Sequence, residues 1–171
     1  MKYIKEFEIY DPNLKDPDNA YFQRLLIKFL NRIKTDDFTI STNFYERDND
    51  KPAIALNSVD ARKGYRYKED KPVLTIRVLN VSDKQLRKEK TKPKFKILLK
   101  TFYDTTGITD QNFLNILIEF LNETFTKYSY WNIKRGSFYE YFINTSNVDN
   151  IENEFDNLDI ELYKNMKKYN I

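Results

Sequence analysis

A faint copy of the opening segment recurs near the end of the chain, and it constrains the fold more than any other feature. Tyr10-Asp11 is followed by Phe22, Leu25, Leu26, Ile27, Phe29, Leu30 and Asn31, and then by Phe44-Tyr45-Glu46. Tyr103-Asp104 is followed by Phe113, Ile116, Leu117, Ile118, Phe120, Leu121 and Asn122, and then by Phe138-Tyr139-Glu140. The offset is 93 at the Tyr-Asp pair, 91 through the apolar block and 94 at the Phe-Tyr-Glu triplet. Length changes confined to loops are what two diverged copies of one structural unit show.

Local pattern gives each copy its shape. Lys2 to Tyr10 reads as a strand with Tyr3, Phe7 and Ile9 on one face. Asp16-Pro17 is a helix start, with Asp16 able to cap and Pro17 suited to the first helical position. Phe22 to Ile33 then carries apolar side chains at helical spacing, and Phe38 to Tyr45 alternates as a strand ending in the Asp48-Asn49-Asp50 turn. In the second copy Lys94 to Tyr103 is a strand, and Thr109 caps a helix bearing Phe113, Ile116, Leu117, Phe120, Leu121 and Phe125. Tyr128–Ile133 and Ser137–Ile143 follow as strands. Between the copies, Ala53–Val59, Gly64–Lys68 and Val73–Val81 read as β structure, and Ser82–Pro93 as a polar loop or one short helix. Val148, Ile151, Phe155, Leu158, Leu162, Met166 and Tyr169 recur at steps of 3 and 4, predicting one closing helix. Acids crowd its start and Lys164, Lys167 and Lys168 its end, which complements the helix dipole.

The expected fold is therefore α+β in a single domain over residues 1–171. Two βαβ-type pseudo-repeats, about 1–50 and 94–145, form a ferredoxin-like sandwich with helices on one face of a mixed sheet. A basic insert at about 51–93, β-rich from about 52, extends that sheet, and a C-terminal helix spans about 147–169.

Composition excludes several chemistries. The chain has no Cys, which removes disulfides, thiolate nucleophiles and cysteine-based zinc sites. It has no His, the commonest general base and metal ligand. No apolar run approaches 18 residues, so no transmembrane helix is expected, and the N-terminus reads as a strand in place of a signal peptide. A cytoplasmic protein of a bacterial host is the corresponding expectation. Phe, Tyr, Met, Ile, Asn and Lys make up 83 of 171 residues, whereas Gly, Ala, Arg and Pro make up 20. That bias follows AT-rich codons and points to a phage or mobile element as the source.

The net charge of +3 conceals a strong asymmetry. Residues 1–60 are net −2, residues 61–100 net +10, and residues 101–171 net −5. In the strand 94–100, Phe95, Ile97 and Leu99 face one way while Lys94, Lys96 and Lys100 face the other; Arg77 likewise opposes Leu74, Ile76 and Val78. One sheet face is thus expected to be studded with Lys and Arg, and the Ser82–Pro93 loop adds Lys84, Arg87, Lys88, Lys90 and Lys92. Arg62, Lys63, Arg66 and Lys68 interleave with Tyr65 and Tyr67, although strand alternation turns those tyrosines away from Arg66 and Lys68. The bland alternative is a solvated face, which is what most charge runs are.

Two further patterns bear on function. Asp11 and Asp104 each end a first strand, where ferredoxin-like polymerase and nuclease domains place a metal-binding Asp; Mg²⁺ would need a second carboxylate nearby. Asp48 and Asp50 lie in a turn and do not supply it, so Asp11 and Asp104 read as loop residues satisfying backbone groups. Lys134 to Phe142 resembles the RNP1 strand of RNA-recognition modules at Arg135, Gly136, Tyr139 and Phe142. It departs from that motif at Ser137 and Phe138, and an edge strand with mixed faces accounts for it more simply.

No catalytic residue, metal or cofactor is expected. The leading expectation is a small non-enzymatic binding protein that engages nucleic acid or a nucleoprotein. Its contacts are Arg62, Lys63, Arg66, Lys68, Arg77, Lys84, Arg87, Lys88, Lys90, Lys92, Lys94, Lys96, Lys100, Lys134 and Arg135. The alternative is a protein-directed inhibitor, such as an anti-CRISPR counter-defence factor or a toxin-immunity protein. It would use the acidic, aromatic-rich flanks. Neither reading sets an oligomeric state.

Overall fold

Apolar side chains at helical spacing form the two long helices. The computed structural model describes residues 19–45, 51–59, 71–81, 93, 95–102, 111–143 and 145–169. Helix α1 (Asn19–Ile33) buries Phe22, Leu25, Leu26, Phe29, Leu30 and Ile33, the whole of its predicted apolar stripe. Helix α2 (Gln111–Tyr128) buries Phe113, Leu114, Ile116, Leu117, Phe120, Leu121, Thr124 and Phe125. Neither contains Pro or Gly, so the backbone ladder runs uninterrupted.

Among the described residues six strands form one sheet: β1 (Phe38–Phe44), β2 (Ala53–Ser58), β3 (Lys71–Asn80), β4 (Phe95–Thr101), β5 (Ser129–Arg135) and β6 (Phe138–Ile143). Their order is β1-β2-β3-β4-β6-β5. Both long helices lie on the same face. Phe22 of α1 sits 5.3 Å from Phe95 of β4 and 6.2 Å from Phe125 of α2, whose ring is 5.4 Å from Tyr141 of β6. Phe29 of α1 meets Phe120 of α2 at 5.7 Å, so the helices share one aromatic core above the sheet.

The sheet corrects the expectation of mixed pairing, because every described ladder is antiparallel. The physical reason lies in the β4–α2–β5 crossover. Strands β4 and β5 run in the same direction, but β6 folds back between them and pairs antiparallel with both. The β5–β6 hairpin closes through Gly136, whose φ of 61° suits a two-residue loop that few other residues tolerate. The insert joins the sheet: among the described residues its strands β2 and β3 stand between β1 and β4. Read across the sheet, an α-β-β segment (α1, β1, β2) flanks β3 on one side, and a second (α2, β5, β6) flanks β4 on the other.

The C-terminal segment is two helices, not one. Helix α3 (Val148–Asn157) buries Val148, Ile151 and Phe155, and α4 (Ile160–Tyr169) follows after Leu158 and Asp159. Leu158 is extended (φ −68°, ψ 114°), and Asp159 Oδ1 accepts the backbone N–H of Leu162 at 3.0 Å. That carboxylate caps a new helix, so a local cap overrides a periodicity that runs straight through the break.

Among the described residues no helix is long and apolar enough to cross a membrane. The expected first strand 2–10, the Asp16 and Thr109 caps, the Gly64–Lys68 strand and the Ser82–Lys92 loop lie outside the described residues.

Candidate nucleic-acid interface

Strand alternation gives the sheet a second face, turned away from the helices. On β4 the buried side chains Phe95, Ile97 and Leu99 belong to the core, and Lys96, Leu98 and Lys100 project from the opposite side, each half-buried. Register carries this face across the sheet. Lys96 lies between Leu79 and Phe142, and Phe142 pairs with Trp131. Leu98 lies between Arg77 and Glu140, which pairs with Ile133. Lys100 lies between Thr75 and Phe138, which pairs with Arg135. Three rows thus cross β3, β4, β6 and β5, two of them joining a lysine to an aromatic ring.

The face is not uniform. Over β2 and β3 it is buried, with Ala55, Asn57 and Thr75 each at 1% exposure or less. Arg77 is 8% exposed, and its Nε donates to the Lys51 carbonyl at 3.1 Å, so this arginine ties β3 to the approach to β2. Over β4, β6 and β5 the side chains are partly open, and Arg135 is exposed. Here Trp131 stacks on the buried Phe142 ring, centroids 4.6 Å apart and planes 20° from parallel. Lys96 Nζ stands 5.9 Å from the Phe142 centroid, and Tyr130 lies 6.4 Å from Trp131 with 40% of its surface exposed. Lys100 Nζ is 5.0 Å from the Phe102 ring. Ammonium groups over aromatic faces are held by the ring quadrupole.

Of the fifteen basic residues expected to bind, the structure places Lys96, Lys100, Arg77 and Arg135 on this face and Lys134 on the helix side. There Lys134 Nζ is 5.3 Å from the Tyr139 ring. Adjacent strand residues point to opposite sides, which separates Lys134 from Arg135. Arg62, Lys63, Arg66, Lys68, Lys84, Arg87, Lys88, Lys90, Lys92 and Lys94 lie outside the described residues, as do Asp11, Asp48, Asp50 and Asp104. Glu140 is the carboxylate among the rows. Sequence reasoning passed over Trp131, Phe138 and Phe142 as members of this face. The available signal was the alternation of Trp131, Ile133 and Arg135, which needed the β5–β6 register to become a surface. Among the described residues no group of three acidic side chains could hold a metal ion.

A second feature lies on the helical side. A groove of about 330 Å³ runs between α2 and the α3–α4 elbow, floored by Phe120, Leu158, Leu162, Tyr163 and Met166. Glu123, Glu154 and Asp159 stand around it with Lys127. Lys127 and the Tyr128 hydroxyl both donate to Glu154, at 2.6 and 2.9 Å, and hold its carboxyl below the usual range. Leu162, Met166 and Tyr169 form an exposed stripe along α4.

No protein-family model matches the chain, and no curated protein or solved structure is significantly similar to it.

Proposed function

We propose that this is a non-enzymatic binding protein that engages nucleic acid, or a nucleoprotein, through the second face of its sheet. The observation that carries this reading is the register of Lys96, Lys100 and Arg135 with Phe142, Trp131 and Phe138, against one carboxylate, Glu140. Cations in rows meet phosphates, and interleaved rings meet bases or sugars. The basic residues of 62–68 and 84–94 add to the same charge in this proposal.

The test is binding measured against salt. Each phosphate contact releases counterions, so a Lys96→Gln/Lys100→Gln/Arg135→Gln variant is expected to lower the log–log salt slope by about 2 to 3. It should keep its fold and weaken binding for all sequences alike. A wild-type protein that binds neither DNA nor RNA at low salt would remove this reading.

The alternative, a protein-directed inhibitor of a host or bacterial system, draws support from the α2–α4 groove and the exposed Leu162, Met166 and Tyr169. An apolar floor rimmed by Glu123, Glu154 and Asp159 suits a basic amphipathic segment of a partner. Nuclease treatment of host lysate before capture separates the two, since only a nucleic-acid partner is lost.

In the same proposal the two α-β-β segments are diverged copies of one ferredoxin-like unit. The symmetric sheet order and the 91-residue offset between the apolar blocks of α1 and α2 support this, whereas the 94-residue offset pairs Phe44 of β1 with Phe138 of β6 and does not. The gene is assigned to a phage or mobile element and the protein to the bacterial cytoplasm, on composition alone.

A further inference from the structure

We infer that the polynucleotide taken by this face is unpaired, with bases stacking at Trp131 and Tyr130 and phosphates following Lys96, Lys100 and Arg135. The inference rests on the nucleic-acid reading above and narrows its substrate class.

Three observations support it. The first is the position of the rings. Trp131 lies on β5, the last strand of the sheet among the described residues, and the exposed Tyr130 ring stands 6.4 Å from it, where a strand crossing the sheet face would pass. Base faces inside a duplex are already covered by their neighbours, so only unpaired bases gain from a protein ring. The second is preorganisation. Phe142, 3% exposed, backs Trp131 in a near-parallel stack, and Lys96 stands over the same ring. A tryptophan held in this way loses little rotamer freedom when a base arrives. The third is shape and charge. The duplex major groove admits a helix or a two-stranded ribbon, and a face built from β4, β6 and β5 is wider than either. On that face Glu140 lies between the Lys96 and Lys100 rows, so phosphates are repelled from the centre and drawn to the flanking cations. That distribution leaves the flanking rows to the phosphates, with Trp131 at the end of the Lys96 row to take a base.

Trp131 is the single tryptophan of the chain, so its emission reports this site alone. The experiment titrates the full chain with oligo(dT), oligo(U) and a mixed-sequence DNA duplex of equal length at one moderate salt concentration. Tryptophan quenching by at least one single strand, with affinity about ten-fold above the duplex, is expected. The two single-strand arms show which sugar is preferred. Labelled-oligonucleotide anisotropy with Tyr130→Ala and Trp131→Leu should show about a ten-fold loss for the single strand and little change for the duplex. The exposed Tyr130 variant serves as the control for folding. Duplex binding as tight as single-strand binding, or binding without quenching, overturns this inference while leaving the nucleic-acid reading standing. Failure to bind any of the three probes overturns both.

Discussion

The ring of Phe29 on α1 lies flat against that of Phe155 on α3, centroids 4.2 Å apart and planes 12° from parallel. Phe155 also approaches Phe120 and Phe125 of α2, at 6.2 and 6.3 Å, so one side chain joins three helices above the sheet. Truncation here removes a fully buried ring where the surroundings relax only in part. Phe155→Ala is expected to cost about 3–5 kcal/mol and Phe155→Leu distinctly less, read from urea midpoints at constant slope.

Arg32 closes the junction that the sequence pattern did not reveal. Its Nη1 donates to the Leu158 carbonyl at 3.2 Å and its Nη2 to the Phe155 carbonyl, which also accepts the Leu158 N–H at 3.4 Å, so the arginine ties α1 to the end of α3. A planar fork serves two carbonyls at once, which an ammonium on a flexible stem does not. Arg32→Met should destabilise by about 1 kcal/mol, with Arg32→Lys recovering only part of it. Amide exchange should quicken in Leu158–Tyr163 before it changes in α1.

The Tyr141 hydroxyl donates to Asn122 Oδ1 from beneath α2. Burial, with a smaller effect from Tyr139, pushes its ionisation well above the ordinary tyrosine range. Because the folded state holds the neutral form, its contribution is complete below about pH 10, where the unfolded tyrosine ionises, and declines above it. Tyr141→Phe is expected to cost about 1 kcal/mol at neutral pH. The gap should narrow as pH rises past about 10, measured by denaturation at stepped pH.

The non-enzyme reading also has a direct assay. Purified protein with Mg²⁺ or Mn²⁺ is expected to leave single- and double-stranded substrates intact. Turnover that disappears in Asp11→Asn or Asp104→Asn would replace the binding proposal with a metal-dependent nuclease.

Much of the secondary structure was legible because periodicity is a local property. The stripe Phe22 to Ile33 and the alternation Phe95, Ile97, Leu99 against Lys96, Lys100 follow from 3.6 and 2 residues per repeat, whatever the neighbours do. The break at Leu158 was not legible from spacing. Leu158 and Leu162 keep the helical step, and only the competition between a continued helix and the Asp159 cap separates α3 from α4.

The sequence by itself determined which side chains could enter the core, that two helices would share one apolar stripe pattern, and that the positive charge would concentrate in the middle of the chain. Tertiary structure alone decided that β6 lies between β4 and β5, which brings Phe142 into register with Lys96 and Trp131. The physical reason is that strand alternation fixes which face a side chain takes but not which strand lies beside it. Several strands here carry compatible patterns, and the choice among them is made by the hairpin at Gly136 and by the packing of α2 over β5 and β6.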